Sequence, residues 1–382
     1  MPVSADSPAP VRRLLAVALL PLIALAALHV IAFASDPASR AGIDDFQVFY
    51  AGTRELLGGR TPYTTGFVSP PWFALLVAPL ALLPYPTAST AWFLVNFGAL
   101  AVAIWGSFRL LDWQPGLAPL LLTVLVAVLW PPAQLHLRLG QNSMLVFALL
   151  ALGCVAYRAE RRFLAGLLLA AAAVKPQLAS LLIGGIVVAE WRRFRTAHVL
   201  LGLALGVGVG LALSAALAPA WIEDVLGLRP RSWNYWGSTI SFVTLFAWLT
   251  DGQRLVAVAL YLPVAAIGSV LALARWWRGA GDVPRNAALT LAATLLLTPY
   301  AYPHDYIVLA LPLLLWARHA LAQPPLALLL GPPLLLAVWL LPRPEDYTPL
   351  RFVALGAPLA VLLATTASLR PVAHAARRRQ RV

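Results

Sequence analysis

Residues 163–190 read FLAGLLLAAAAVKPQLASLLIGGIVVAE, two apolar arms joined at Lys175-Pro176. Arginines close the stretch on both sides, Arg161–Arg162 before it and Arg192–Arg193 with Arg195 after it. Basic residues in short loops collect on the cytoplasmic side of a membrane. Both flanks therefore belong on one side, and the chain between them must go out and return. The stretch predicts a hairpin of two short helices with Lys175 at its outer tip. At 1.5 Å per residue each arm reaches only about 18–20 Å, which requires a locally thin bilayer.

The rest of the chain has the same character. Of 382 residues, 61% are hydrophobic and 11% charged, with a mean hydropathy of +0.80. No single water-soluble core absorbs that much apolar surface. A span needs about 20 apolar residues. Candidates recur at 14–34, 70–84, 88–108, 117–132, 143–157, 163–174, 177–190, 197–218, 254–274, 286–300, 305–318, 325–341 and 352–369. Ala32-Phe33-Ala34 mimics a signal-peptidase site, but the run before it is longer than a usual secretory h-region, so 14–34 reads as a retained first span. The single cysteine, Cys154, excludes an internal disulfide and lies in an apolar run, where it packs.

The net charge of +13 would suit nucleic acid if it formed a stripe. Instead it sits in clusters between apolar runs: Arg12–Arg13, Arg158 with Arg161–Arg162, Arg192–Arg193 with Arg195, Arg275 with Arg278 and Arg285, and the terminal RRRQR. That pattern excludes nucleic acid as a partner and points to membrane lipid. Counting every candidate as a span puts the 158–162 cluster outside the cell, against the charge rule. Laying SPPWFALLVAPLALLP (69–84) flat in the outer interface, with Trp72 in an aromatic belt, restores it. The expected architecture is an all-α polytopic membrane protein. It forms one domain over 1–382, about 12 transmembrane helices with outer-face juxtamembrane helices, and cytoplasmic tails at 1–13 and 371–382.

With that parity the polar motifs share the outer face: IDDFQVFYAGTRELLGGRTPY (43–63), HLRLGQNS (136–143), Lys175, SWNYWGS (232–238) and YPHDY (302–306). Charges near lipid are costly and mark function. Asp44 or Asp45 either caps a helix starting near Phe46 or, partly desolvated, acts as a general base. Lys175, the only lysine among 28 basic residues, either snorkels from a helix end or binds phosphate as a point charge. The aromatics and amide of SWNYWGS suit a sugar ring and a bilayer interface equally well. Gly202, Gly206 and Gly210 form a small-residue face for helix packing. Local spacing assembles no three ligands for a metal, and no nucleotide fingerprint follows a strand.

Beyond these readings, the chain resembles glycosyltransferase family 87 of the GT-C superfamily, through DFQVFYAG (45–52), LLGGRTPY (56–63), SPPWFALLVAPLALLP (69–84), LGQNSMLVFALLAL (139–152), AGLLLAAAAVKPQLASLL (165–182) and TPYAYPHDYIVLALPLLL (298–315). The resemblance implies a GT-C-like bundle in the bacterial cytoplasmic membrane with an outward-facing active site. It implies transfer of a sugar, mannose at the family level, from a polyprenyl-phosphate donor to a lipid or glycan acceptor, with no cofactor. It carries the catalytic base onto Asp45 with Asp44 as support. It carries donor phosphate contact onto Lys175, a site histidine onto His304 and an outer-face polar role onto Gln141 and Asn142; in the mechanism expected here His304 and Arg138 assist Lys175. Tyr63 and Asn234 complete the candidate substrate contacts. The chain departs from the family where members often read tryptophan and then paired histidines; here Tyr302 is followed by His304 and Asp305. The rival reading, a flippase for the same lipid-linked sugar, predicts a midplane site between repeats, and no clear repeat is evident.

Overall fold

A computed structural model describes residues 45–322 except 115, 225 and 227–238, together with residues 28, 352 and 355–367. The candidate spans at 14–34 and 325–341, both tails, Asp44 and the SWNYWGS loop lie outside the described residues. Everything regular among the described residues is helical. The helices are α1 Asp45–Leu57, α2 Pro71–Ala81, α3 Tyr85–Leu110, α4 Leu117–Leu129, α5 Pro131–Leu139, α6 Ser143–Arg158, α7 Arg162–Ala172, α8 Pro176–Phe194, α9 His198–Leu217, α10 Phe242–Leu249, α11 Arg254–Arg278, α12 Val283–Leu297, α13 Ala310–Ala322 and α14 Gly356–Ala367. A 3₁₀ segment, Pro303–Leu309, leads into α13.

Proline sets many of the starts. α2, α5, α8 and the 3₁₀ segment each carry proline in the first positions, where its missing N–H costs nothing and its fixed φ suits the helix. The same chemistry corrects one expected span. Residues 117–132 do not run straight: Trp130, forced to an extended backbone by the proline after it, ends α4, and α5 leaves at 72°.

By length and composition α3, α9 and α11 are long and apolar enough to cross a membrane, and the bent α4–α5 pair would make a fourth span. The other apolar helices are shorter, 11 residues in α2 and α7, 16 in α6 and 15 in α12. α11 presents Leu255, Leu262, Ile267, Val270 and Leu271 more than half exposed, an outward apolar face whose matching solvent is lipid.

α7 and α8 form the two arms expected of 163–190, and their basic ends meet. The Arg162 guanidinium lies 4.1 Å over the Phe194 ring and donates to Thr196 Oγ1 at 3.1 Å. The arms do not zip together along their length. α7 packs on α6 and α9, while α8 packs on α11 and α12. Small residues permit the first contact: a Cβ on Gly202 would lie 2.1 Å from the Phe163 carbonyl oxygen, and one on Gly166 2.2 Å from that of Val199. Buried Glu190 accepts from the Val199 N–H at 2.9 Å and from Thr196 Oγ1 at 3.0 Å, satisfying the first turn of α9 and favouring its positive dipole end.

The molecule therefore has two chemically distinct ends. At one, arginines fasten helix termini: Arg158 pairs with Asp112 and donates to the Leu110 carbonyl, Arg318 donates to the Leu111 carbonyl, and Arg192 lies 5.5 Å over Trp277. At the other end α1, the α5–α6 turn, the α7–α8 tip and the 3₁₀ segment converge. Trp72 of α2 is partly buried and packs on Gly210 of α9, and its backbone N–H donates to Ser214 Oγ at 3.3 Å. α10, not anticipated from sequence, begins after Ser241, whose backbone N–H donates to Thr244 Oγ1 at 3.1 Å.

Candidate active site

The site is built on α1, a short helix with acid at its start and aromatics along one face. Phe46 stacks on Trp92 with centroids 5.4 Å apart, and Phe49 meets Phe73 edge-on at 5.2 Å. Tyr50 donates to the Leu83 carbonyl at 2.7 Å. Trp92 in turn donates its indole N–H to the Gly140 carbonyl at 2.7 Å. These contacts lock the register of α1 to the α5–α6 turn, where Gly140 takes the left-handed conformation (φ 66°) that ends α5. Gln141 follows immediately.

Gln141 Nε2 donates to Asp45 Oδ2 at 2.6 Å. Its other end, Oε1, accepts from Lys175 Nζ at 3.4 Å. Lys175 is buried at the N-terminus of α8 and also donates to Ser143 Oγ and Asp305 Oδ1, both at 2.6 Å. Ser143 Oγ donates to the same Asp305 oxygen at 2.7 Å. The second Asp305 oxygen accepts the Tyr302 N–H at 3.0 Å, which fixes the 3₁₀ segment.

His304 Nε2 lies 3.3 Å from Lys175 Nζ. The same Nε2 lies 3.5 Å from Asp305 Oδ1. Burial, with the Lys175 charge beside it, outweighs the attraction of Asp305 and brings the His304 imidazole down to about 3. The ring stacks on Tyr302 at 5.4 Å and meets His136 edge-on at 6.2 Å. His136 is itself bonded through Nε2 to Asn96 Oδ1 at 3.0 Å. For Asp45, burial raises the carboxyl above its ordinary value, with Asp305 adding to the rise and Gln141 and Lys175 opposing it.

Asp45, Gln141, Lys175 and His304 are thus brought together across elements far apart in sequence. Arg138 is exposed at the end of α5, on the rim of a small cleft that Phe46, Trp92 and Asn96 also line. Asn142 is buried at the N-cap of α6 and makes no side-chain cap bond. Tyr63 is buried, and its hydroxyl donates to the Ser69 carbonyl at 3.1 Å, clasping its own loop. Asp44 and Asn234 lie outside the described residues. Sequence reasoning left out Ser143 and Asp305 as site residues, although each adjoins or nearly adjoins a chosen one. Among the described residues no group of three potential metal ligands is assembled.

No curated protein and no solved structure matches the chain. The model of one family, described as glycosyltransferase family 87, matches residues 67–299, a stretch that holds Arg138, Gln141, Asn142 and Lys175 but begins after Asp45 and ends before His304. That match covers more than half of the sequence, and the chain belongs to glycosyltransferase family 87.

Proposed function

We propose that this glycosyltransferase moves a sugar, mannose by its family resemblance, from polyprenyl phosphate to a hydroxyl of a lipid or glycan at the outer face of the cytoplasmic membrane. The observation that carries the reading is the half-buried Asp45 carboxylate. It sits at the polar end of an otherwise apolar bundle, held by Gln141 and raised in pKa by burial. A base poised nearer neutrality removes a proton more effectively than an ordinary carboxylate.

In the proposed step the acceptor hydroxyl oxygen attacks the anomeric carbon and gives its proton to Asp45. The carbon–oxygen bond to phosphate breaks, and polyprenyl phosphate leaves with the electron pair. A single displacement inverts the anomeric centre, as in inverting glycosidases. Phosphate needs no general acid; its growing charge needs a cation. In this reading Arg138, exposed at the end of α5, supplies that cation. Lys175 stays in the site as the fixed positive charge behind Gln141. His304, neutral beside it, contributes a hydrogen-bonding face rather than a charge.

The test is incubation of the purified protein with radiolabelled polyprenyl-phosphate mannose and a lipid extract from the host. A new labelled lipid supports the reading. Unchanged donor that has moved between vesicle leaflets instead supports a flippase and overturns it.

A further inference from the structure

The positions of Lys175, Gln141 and Asp45 carry an inference that rests on the base reading above and deepens it. We infer that Lys175 is a positioning residue, which fixes the direction of the Gln141 amide so that its NH₂ faces Asp45. A glutamine amide has one accepting end and one donating end. Gln141 stands between an ammonium, which only donates, and a carboxylate, which only accepts. One of the two amide orientations satisfies both neighbours, and the flipped one sets oxygen against carboxylate and NH₂ against ammonium. The observed distances, 3.4 Å to Lys175 and 2.6 Å to Asp45, match the satisfying orientation.

The ammonium is itself held. Its protons go to Ser143, Asp305 and Gln141, with His304 beside them, and the residue is buried. Asp305 is anchored by Ser143 and the Tyr302 backbone. The order Asp305–Lys175–Gln141–Asp45 therefore transmits a fixed geometry from the 3₁₀ segment to α1. A lysine with these partners is poorly disposed to receive a donor phosphate, because binding one would strip a buried carboxylate of its counter-charge. The charged groups facing Asp45 are Lys175 and Asp305, and Gln141 is its hydrogen-bond partner.

The test reads Asp45 directly and needs no substrate. Carbodiimide labels protonated carboxyl groups, and the labelling of Asp45 against pH, quantified by peptide mass spectrometry, gives its midpoint. Three proteins are compared with wild type: Gln141→Leu, the charge-balanced pair Lys175→Met with Asp305→Asn, and all three changes together. The pair removes one positive and one negative charge, whose opposite effects on Asp45 offset each other in part while the amide is released. Gln141→Leu should move the midpoint up by about one pH unit, the worth of one hydrogen bond to the charged form. The pair should move it the same way, and the triple variant by clearly less than the sum of the two. Additive shifts, or no shift in the pair, overturn the inference. In the transfer assay the pair should lower kcat with donor KM unchanged; a selective rise in donor KM returns Lys175 to phosphate binding. Asp45→Asn that transfers sugar normally would sink the base reading while leaving these midpoints, and the inference, intact.

Discussion

Lys175 and Asp305, 130 residues apart in sequence, form an ion pair at 2.6 Å in which the two side chains are 8% and 0% exposed. It ties the tip of the α7–α8 pair to the 3₁₀ segment before α13, and Ser143 closes the triangle from α6. Buried pairs of this kind give geometry more reliably than stability, since desolvation offsets much of their attraction.

The pair gives the first prediction. Lys175→Met alone leaves the Asp305 charge buried without a partner and should cost about 3–5 kcal/mol. Lys175→Met with Asp305→Asn should recover most of that loss. Thermal unfolding in detergent checks it, and equal destabilisation in the single and the pair contradicts it.

Helix packing gives the second. Gly202→Val places a side chain into the Phe163 carbonyl and should separate α7 from α9, at a cost of about 1–3 kcal/mol or more. Gly208→Ala, where a Cβ meets nothing within 4 Å, should leave the melting temperature nearly unchanged.

The pH dependence of stability gives the third. Asp45 has a folded pKa above its ordinary 3.8, so the folded state holds the proton more tightly than the unfolded chain. Its contribution is fully present below 3.8 and is lost as pH rises through the raised folded value. Asp45→Asn, which cannot ionise, should therefore melt above wild type at neutral pH, with the difference vanishing in acid. A neutral-pH melting temperature clearly below wild type contradicts this.

Sidedness gives the fourth. Because the basic termini gather at one end and the polar site at the other, single cysteines at Gly58 and Ala159 should label from opposite sides of intact cells, Gly58 from outside. The native Cys154 is buried and gives little background. Labelling of both from one side contradicts the two-ended arrangement.

Much of this organisation is legible in the sequence because hydrophobic length and charge placement act locally. The arginine-flanked run at 163–190, the prolines at helix starts and the Gly202–Gly206 face each specify their structure within a few residues. The break at Trp130 was also written there, in Pro131-Pro132, but a continuous apolar run masks a proline bend when only hydropathy is followed. What sequence does not carry is partnership across distance. Asp305 looked like an interruption after His304, and nothing local says that its charge belongs to Lys175. Gln141 read as a substrate contact because a lone amide has no visible obligations. Only the fold places it between an ammonium and a carboxylate.

In the proposed transfer Asp45 takes the acceptor proton, and Asp45→Asn isolates that role from helix capping. Asparagine keeps the size of the side chain and caps helices about as well as aspartate, so a capping role predicts near-normal transfer. In a membrane-inserted, folded variant assayed with labelled polyprenyl-phosphate mannose, transfer should fall by about 10²-fold or more, with Asp44→Asn much milder. Transfer at the wild-type rate by Asp45→Asn would contradict the base role.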